Sequence, residues 1–203
     1  MITSETTDHR YHRYDDGSAE VEVLKFLQSF VELTKPNVVI ETGTYVGYSA
    51  LYIAKGLKEN GQGHLITLEI EPKHIEKAKE KWIQGEVKEY ITSIIQSSLE
   101  YTPSQTVDLL FLDSEPGVRW LELVRFYPYL KEGGFVFIHD LPRGFCKGNI
   151  NPDHPTFIDW PWGPVPKEVN QWLKEGKLVK WHFDTPREMT GFYKPRKEDY
   201  VTD

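Results

Sequence analysis

The run Val38-Val39-Ile40-Glu41-Thr42-Gly43-Thr44-Tyr45-Val46-Gly47-Tyr48-Ser49 constrains this chain most, because a branched apolar stretch empties into a glycine turn and then a helical pattern. Three branched residues in succession suit a strand buried on both faces. A ligand approaches the backbone closely only where no Cβ intervenes, so Gly43 and Gly47 mark the kind of turn at which a parallel α/β sheet holds a nucleotide. Many proteins use the same run as an ordinary strand-to-helix turn. Specificity comes from the next apolar run, Leu65 to Leu68, which stops at Glu69. A carboxylate at that place suits the two hydroxyls of a ribose.

Around this turn the pattern alternates. Val23, Leu24, Leu27, Phe30 and Val31 recur at three and four, which predicts a helix over 18–34 with Ser18 as its cap and Glu20 and Glu22 in its first turn. Pro36 stops it. Ser49 to Leu57 supplies a crossover helix, followed by strand 65–68, helix 73–82, strands 90–95 and 107–112, helix 118–129 and strand 135–138, the last entered through Gly133-Gly134. Helix 165–174 then leads to strands 177–184 and 190–193, joined by Thr185-Pro186-Arg187-Glu188 as a closing hairpin. The expected fold is therefore α/β and Rossmann-like: seven strands, mostly parallel, with helices on both faces and a C-terminal antiparallel hairpin.

With 203 residues and 39% apolar content the chain can bury one sizeable core, and a single domain over 17–194 is expected. Residues 1–16 form a polar arm, read either as a disordered terminus or as a flap that orders over a ligand, and 195–203 read as a frayed polar tail. His9 and His12 lack further ligands nearby and read as solvated. The segment 142–166 is rich in proline and carries Phe145, Phe157, Trp160 and Trp162; it serves either as a substrate wall or as an aromatic plug in the core. A formal charge of -7, from 24 basic and 31 acidic residues, gives no basic footprint for nucleic acid. The single cysteine, Cys146, excludes an internal disulfide framework and fits the reducing cytoplasm. No signal-peptide core and no run of roughly 18 apolar residues is present, so a soluble cytoplasmic protein without a membrane partner is expected.

Four motifs in this order carry a resemblance: Glu41 through Ser49; Leu68-Glu69-Ile70-Glu71-Pro72; Asp108-Leu109-Leu110-Phe111-Leu112-Asp113; and Leu130-Lys131-Glu132-Gly133-Gly134-Phe135 before Ile138-His139-Asp140. Over about residues 34 to 194 the chain resembles the class I S-adenosylmethionine-dependent methyltransferases. It is most similar to small-molecule O-methyltransferases related to catechol O-methyltransferase. The resemblance implies S-adenosylmethionine as cofactor. Glu41, Gly43, Thr44, Tyr45, Gly47 and Ser49 would surround its methionine part, and Glu69, with Ile70 beside it, would hold the ribose. Ser97, Ser98 and Leu99 would meet the adenine, and Asp113 would stand where the methyl-transfer centre begins. The implied partner is a small hydroxylated acceptor, such as a sugar or phenol, and relatives often pair as homodimers.

In-line transfer from an activated sulfonium needs mainly alignment, but a hydroxyl acceptor must also lose a proton, to a base or through a metal. Asp113, His139 and Asp140 fall at carboxyl ends of strands, where open α/β sheets build active sites. Metal-dependent relatives place an acidic residue at Asp113 and Asp-Asn after the fifth strand, an oxygen-rich magnesium site. This chain has Asp140-Leu141 instead, and Pro116 at the place of their catalytic lysine. No metal ligand is therefore assigned, magnesium is kept only as a secondary option, and His139 or Asp140 is expected to act as the base. The competing reading makes Asp140 a loop cap and His139 a satisfied strand-end histidine. Arg119, which follows Glu115 and precedes Trp120, either grips an anionic acceptor or is solvated in a first helical turn. His182 reads as structural in an edge strand, and the charge run Glu76 to Lys81 as a solvated helix face.

Two other classes remain open. A nicotinamide-dependent oxidoreductase shares the sheet and the acidic residue, although the turn lacks the third glycine of G-x-G-x-x-G. A non-catalytic binding or assembly module can keep the same fold without turnover.

Overall fold

The computed structural model describes residues 12–15, 17–141, 164–185 and 187–200. Expectations for the first part of the arm, for the aromatic loop through residue 163 with its Cys146, and for 201–203 lie outside them. The seven strands, β1 (Val38–Thr42), β2 (His64–Glu69), β3 (Ile91–Ile95), β4 (Val107–Leu112), β5 (Leu130–His139), β6 (Val179–Phe183) and β7 (Met189–Tyr193), form one sheet in the order β3-β2-β1-β4-β5-β7-β6. The chain divides into two compact units, Met1–Tyr101 and Thr102–Asp203. Among the described residues no helix is long and apolar enough to cross a membrane.

The first unit holds α1 (Val21–Thr34), β1 (Val38–Thr42), α2 (Tyr48–Asn60), β2 (His64–Glu69), α3 (Pro72–Gln84) and β3 (Ile91–Ile95). All five residues of β1 are buried, as its branched run requires, and β1 and β3 both pair in parallel with β2. Val23, Leu24, Leu27 and Val31 form the buried face of α1. Close approach of α1 and α2 depends on Gly56, where a Cβ would stand 2.8 Å from the Gln28 carbonyl oxygen and 2.9 Å from Val31. Pro72 opens α3, a position that has no intrahelical partner for an N–H in any case. The charge run on this helix is exposed apart from Ala78, which is buried, and the half-buried Lys81.

Ser18 does not cap α1. The helix starts at Val21 with Glu20 at its N-cap and no side-chain cap bond. Ser18 instead turns back to Asp15, whose Oδ1 accepts its hydroxyl at 2.8 Å and its N–H at 2.9 Å. A short polar side chain can serve a local turn as readily as a helix end, and Asp15 wins it here.

The second unit holds β4 (Val107–Leu112), α4 (Pro116–Phe126), β5 (Leu130–His139), α5 (Lys167–Lys174), β6 (Val179–Phe183) and β7 (Met189–Tyr193). β4 and β5 are parallel with a register shift between Val107 and Leu109, and β7 pairs antiparallel with both β5 and β6. The helix predicted to reach residue 129 ends at Phe126 and closes in a 3-10 turn, because Pro128 has no N–H to continue it. Trp181 meets Phe135, Phe137 and Phe183 edge-on, and Gly191 leaves space for its indole, since a Cβ there would stand 2.5 Å away. His182 has the structural place expected for it, with Nδ1 3.1 Å from Oγ1 of its cross-strand partner Thr190.

The tail is not frayed through residue 200. Asp199 accepts the Tyr193 hydroxyl at 2.5 Å and the Arg196 N–H at 2.8 Å, while the Tyr200 hydroxyl donates to the Gly176 carbonyl at 3.0 Å. Polarity suggested solvation; here it supplies hydrogen bonds that fold the segment back.

Candidate functional site

In the first unit the carboxyl ends of β1, β2 and β3 carry the glycine loop, Glu69 and the Ser97 turn. Gly43, Tyr45 and Gly47 all have positive φ, at 80°, 46° and 81°. Tyr45 is the costly one, since a side chain in the left-handed region is disfavoured by about 1–2 kcal/mol. Its N–H donates to Glu69 Oε2 at 2.8 Å, which holds the strained residue in place. Gly43 and Thr44 both donate their N–H to the Leu68 carbonyl, at 3.0 and 3.3 Å, so the loop is tied to the end of β2 by its backbone.

Beneath the loop lies a buried polar chain. Thr44 and Thr67 hydroxyls meet at 2.5 Å, and Thr67 Oγ1 donates to Glu41 Oε2 at 2.5 Å. Glu41 has no solvent exposure. Glu69 is engaged more fully than a ribose ligand alone requires: besides Tyr45, its Oε1 accepts the N–H groups of Ile70 at 2.9 Å and Glu71 at 3.0 Å. Ile70 beside it is an exposed apolar side chain. Past β3, Gln96 donates to the Glu69 carbonyl at 2.9 Å, and Ser97 organises a turn by accepting the Leu99 N–H on Oγ at 3.3 Å and the Glu100 N–H on its carbonyl at 3.0 Å. Ser98 and Leu99 are half-buried in this turn, and Ser49 is buried in the first turn of α2.

Gly47 has a packing role that the sequence did not announce. A Cβ on it would stand 2.5 Å from Ala78 Cβ and 2.8 Å from Trp82 Nε1, so its small size admits α3. Trp82, fully buried, donates Nε1–H to the Gly47 carbonyl at 3.0 Å.

Two neighbours escaped the sequence reading. His74 in α3 places Nδ1 3.6 Å from Glu69 Oε1 and its ring edge-on to Tyr45 at 5.0 Å. Tyr14 from the arm stacks on Tyr48 at 4.3 Å and meets the Tyr52 hydroxyl at 2.6 Å, while a Cβ on Gly17 would stand 2.7 Å from the Tyr45 ring. The described part of the arm thus packs on the glycine loop and the start of α2. Burial first, then the Tyr14 bond, pushes the Tyr52 phenol well above its ordinary value.

The second unit brings together Asp113 after β4, His139 at the end of β5, and Asp140, which has φ of 57°. His139 is fully buried and its Nδ1 lies 3.0 Å from Asp113 Oδ1 and 3.6 Å from Asp140 Oδ2. Among the described residues these three form a group whose ligand atoms all lie within 4.8 Å of one another, a spacing that can hold a cation. Arg119 enters this group from α4. It is not solvated: it is 4% exposed, with Nη2 3.0 Å from Asp113 Oδ1 and Nη1 3.4 Å from Asp140 Oδ2. Its Nε donates to the Ser114 carbonyl at 2.6 Å and Nη1 to the His139 carbonyl. Arg187 adds Nη2 at 2.7 Å from Asp140 Oδ2. Burial works to raise the Asp113 carboxyl, but His139, Arg119 and Arg187 outweigh it and hold that group below the usual carboxylate range.

The inward turn of Arg119 had a signal in the sequence, since it shares the 119, 123, 126 spacing with the buried Leu123 and Phe126. Leu141, which breaks the magnesium pattern, is buried, and its carbonyl accepts the Thr190 hydroxyl at 3.2 Å. Pro116 opens α4.

The fold is shared with solved methyltransferases. The O-methyltransferase TomG from Streptomyces achromogenes, in complex with SAM, superposes with a TM-score of 0.71 at 17% identity, covering 89% of this chain and 83% of that one. The O-methyltransferase from Bacillus cereus, in complex with SAH, gives 0.69 at 17% identity, with 89% and 84% covered. In sequence, a provisionally named O-methyltransferase of Mycobacterium sp. (strain JLS) is 29% identical over 137 residues, which span 66% of this chain and 61% of that relative's length. The family described as a methyltransferase domain matches residues 40–141, half of the chain and the stretch that carries the glycine loop, Glu69, the Ser97 turn, Asp113, His139 and Asp140; this chain belongs to that methyltransferase family.

Proposed function

We propose that the protein transfers a methyl group from S-adenosylmethionine to a hydroxyl of a small-molecule acceptor. The observation that carries this reading is Glu69: a carboxylate at the end of β2, fixed by three backbone N–H groups beside a glycine loop, within a chain of the methyltransferase family. Its orientation is set before any ligand arrives, which suits a pair of ribose hydroxyls. Exposed Ile70 offers apolar surface for the adenine, and the Ser97 turn offers backbone and hydroxyl groups beside it.

The bound donor supplies an activated sulfonium methyl. What remains for the chain is to hold both reactants in line and to take the acceptor's proton. We assign the proton to His139, oriented through its Nδ1 by Asp113. Asp140 is engaged by the guanidinium groups of Arg119 and Arg187, so it positions charge and does not serve as the base.

Calorimetric titration with S-adenosylhomocysteine, S-adenosylmethionine and NAD tests the reading. The two adenosyl ligands should bind and NAD should not; binding of NAD alone overturns the assignment. Glu69→Gln keeps one acceptor oxygen for the loop and loses the charge, so it should weaken S-adenosylhomocysteine at least tenfold, about 1.4 kcal/mol. Unchanged affinity would remove Glu69 from the site.

A further inference from the structure

The Asp113, His139 and Asp140 group has the spacing of a cation site, yet a cation from the chain is already there. Arg119 lies 3.0 Å from Asp113 Oδ1 and 3.4 Å from Asp140 Oδ2, and both carboxylates are mostly buried, at 13% and 18% exposed. Each of its three nitrogens has a protein acceptor: Nε the Ser114 carbonyl, Nη1 the His139 carbonyl and Asp140, Nη2 Asp113. Two carboxylates face two guanidinium groups once Arg187 is included, so the formal charge is balanced without any added ion. A divalent cation would have to displace a side chain anchored at four acceptor contacts or add two positive charges to a balanced, buried group. Burying unbalanced charge is strongly unfavourable. Divalent-cation sites also require ligands open to the ion, and the carboxylate oxygens nearest this position already face guanidinium nitrogens.

We infer that Arg119 is the permanent cation of this cluster, a positioning residue that takes the place of a divalent metal and fixes Asp113, and through it His139, without any added ion. This rests on reading the cluster as the acceptor side of a methyl-transfer site. It implies that the acceptor hydroxyl is held by the chain's own groups, with no bridging metal.

Manganese titration of the full chain, with free Mn²⁺ followed by electron paramagnetic resonance, tests it directly. Wild-type protein should show no Mn²⁺ site that depends on Asp113, and Arg119→Gln, which removes the charge and keeps a planar amide, should gain one, at least tenfold tighter than any wild-type binding. Asp113→Asn in the Arg119→Gln background should abolish the gain. Arg119→Lys keeps the positive charge and should show no gain. A wild-type site lost in Asp113→Asn overturns the inference. So does a folded Arg119→Gln protein that gains nothing, or a gain in Arg119→Lys; if Arg119→Gln does not fold, the wild-type and Arg119→Lys titrations still decide. S-adenosylhomocysteine calorimetry on the same samples keeps the two readings apart: absent binding in wild type sinks the methyl-transfer assignment and leaves the manganese result standing.

Discussion

Gly47→Ala should destabilise the protein by about 2–5 kcal/mol, through two terms that a double-mutant cycle can separate. The backbone there has φ of 81°, where a Cβ is disfavoured by about 1–2 kcal/mol. The added methyl would also stand 2.5 Å from Ala78 Cβ, 3.1 Å from Ala78 Cα and 2.8 Å from Trp82 Nε1, contacts that force α3 or the indole to move. Overpacking of this kind adds about 1–3 kcal/mol. Ala78→Gly alone should be destabilising by about 1 kcal/mol, from helix propensity. Combined, it removes the closest overlap but neither the left-handed penalty nor the contact with Trp82. The double variant should therefore recover part of the overpacking term and be about 0.5–2 kcal/mol more stable than the sum of the single effects predicts. Equilibrium urea unfolding of the four proteins measures this coupling. Additivity within about 0.5 kcal/mol would refute the claim that Gly47 exists to admit α3. Because the same residue ends the glycine loop, S-adenosylhomocysteine affinity should fall with stability in Gly47→Ala and partly return in the double variant.

Trp82→Phe keeps a buried ring and removes the indole N–H that the Gly47 carbonyl accepts at 3.0 Å, while that carbonyl keeps the Leu51 N–H, and should lower unfolding free energy by about 0.5–1.5 kcal/mol; no measurable change in urea unfolding would mean that the indole bond contributes nothing. Tyr14→Phe removes the 2.6 Å contact with Tyr52 and leaves the ring that stacks on Tyr48. Tyr52 should then titrate at a lower pH, read by ultraviolet absorbance, though still above an ordinary phenol because burial is the larger cause. The Asp113 carboxyl lies below its ordinary 3.8 in the folded protein, so its ionised form contributes stability that is present above that value and lost as pH falls through the folded one. The stability difference between wild type and Asp113→Asn should accordingly shrink as pH drops below about 4, and a difference constant from pH 7 to 3 would contradict the pairing.

Elements of the fold were legible wherever burial leaves a period. Val38 to Ile40 announced a strand buried on both faces, and Glu69 closed β2 where predicted. Partners were harder, because spacing reports which way a side chain faces and says nothing about what it meets. Arg119 shows the difference: its phase with Leu123 and Phe126 points inward, but only β5, arriving 20 residues later in the chain, supplies the His139 carbonyl that it contacts. Ser18 failed as a cap for the same reason, since Asp15 and a helix end compete for one hydroxyl and no local rule ranks them. Gly47 was read as ligand clearance, whereas the atoms its missing Cβ admits belong to α3, 31 and 35 residues away.

In both units the carboxylates that matter are engaged by the protein before a ligand arrives: Glu69 by three backbone amides, Asp113 and Asp140 by buried or partly buried guanidinium groups. Fixed charges of this kind need no reorganisation when a ligand binds, which is their advantage for catalysis. They also make truncation ambiguous. Glu69→Ala would release the Tyr45 N–H, and with it the hydrogen bond that holds a left-handed residue, so affinity and stability would fall together. Glu69→Gln separates the two better: the amide oxygen can still accept from Tyr45, although the amide nitrogen then faces the Ile70 and Glu71 N–H groups, so the melting temperature should fall less than in Glu69→Ala while the loss of affinity for S-adenosylhomocysteine is kept. If both fall in proportion, Glu69 acts on the ligand only through the loop, and the direct ribose contact is wrong.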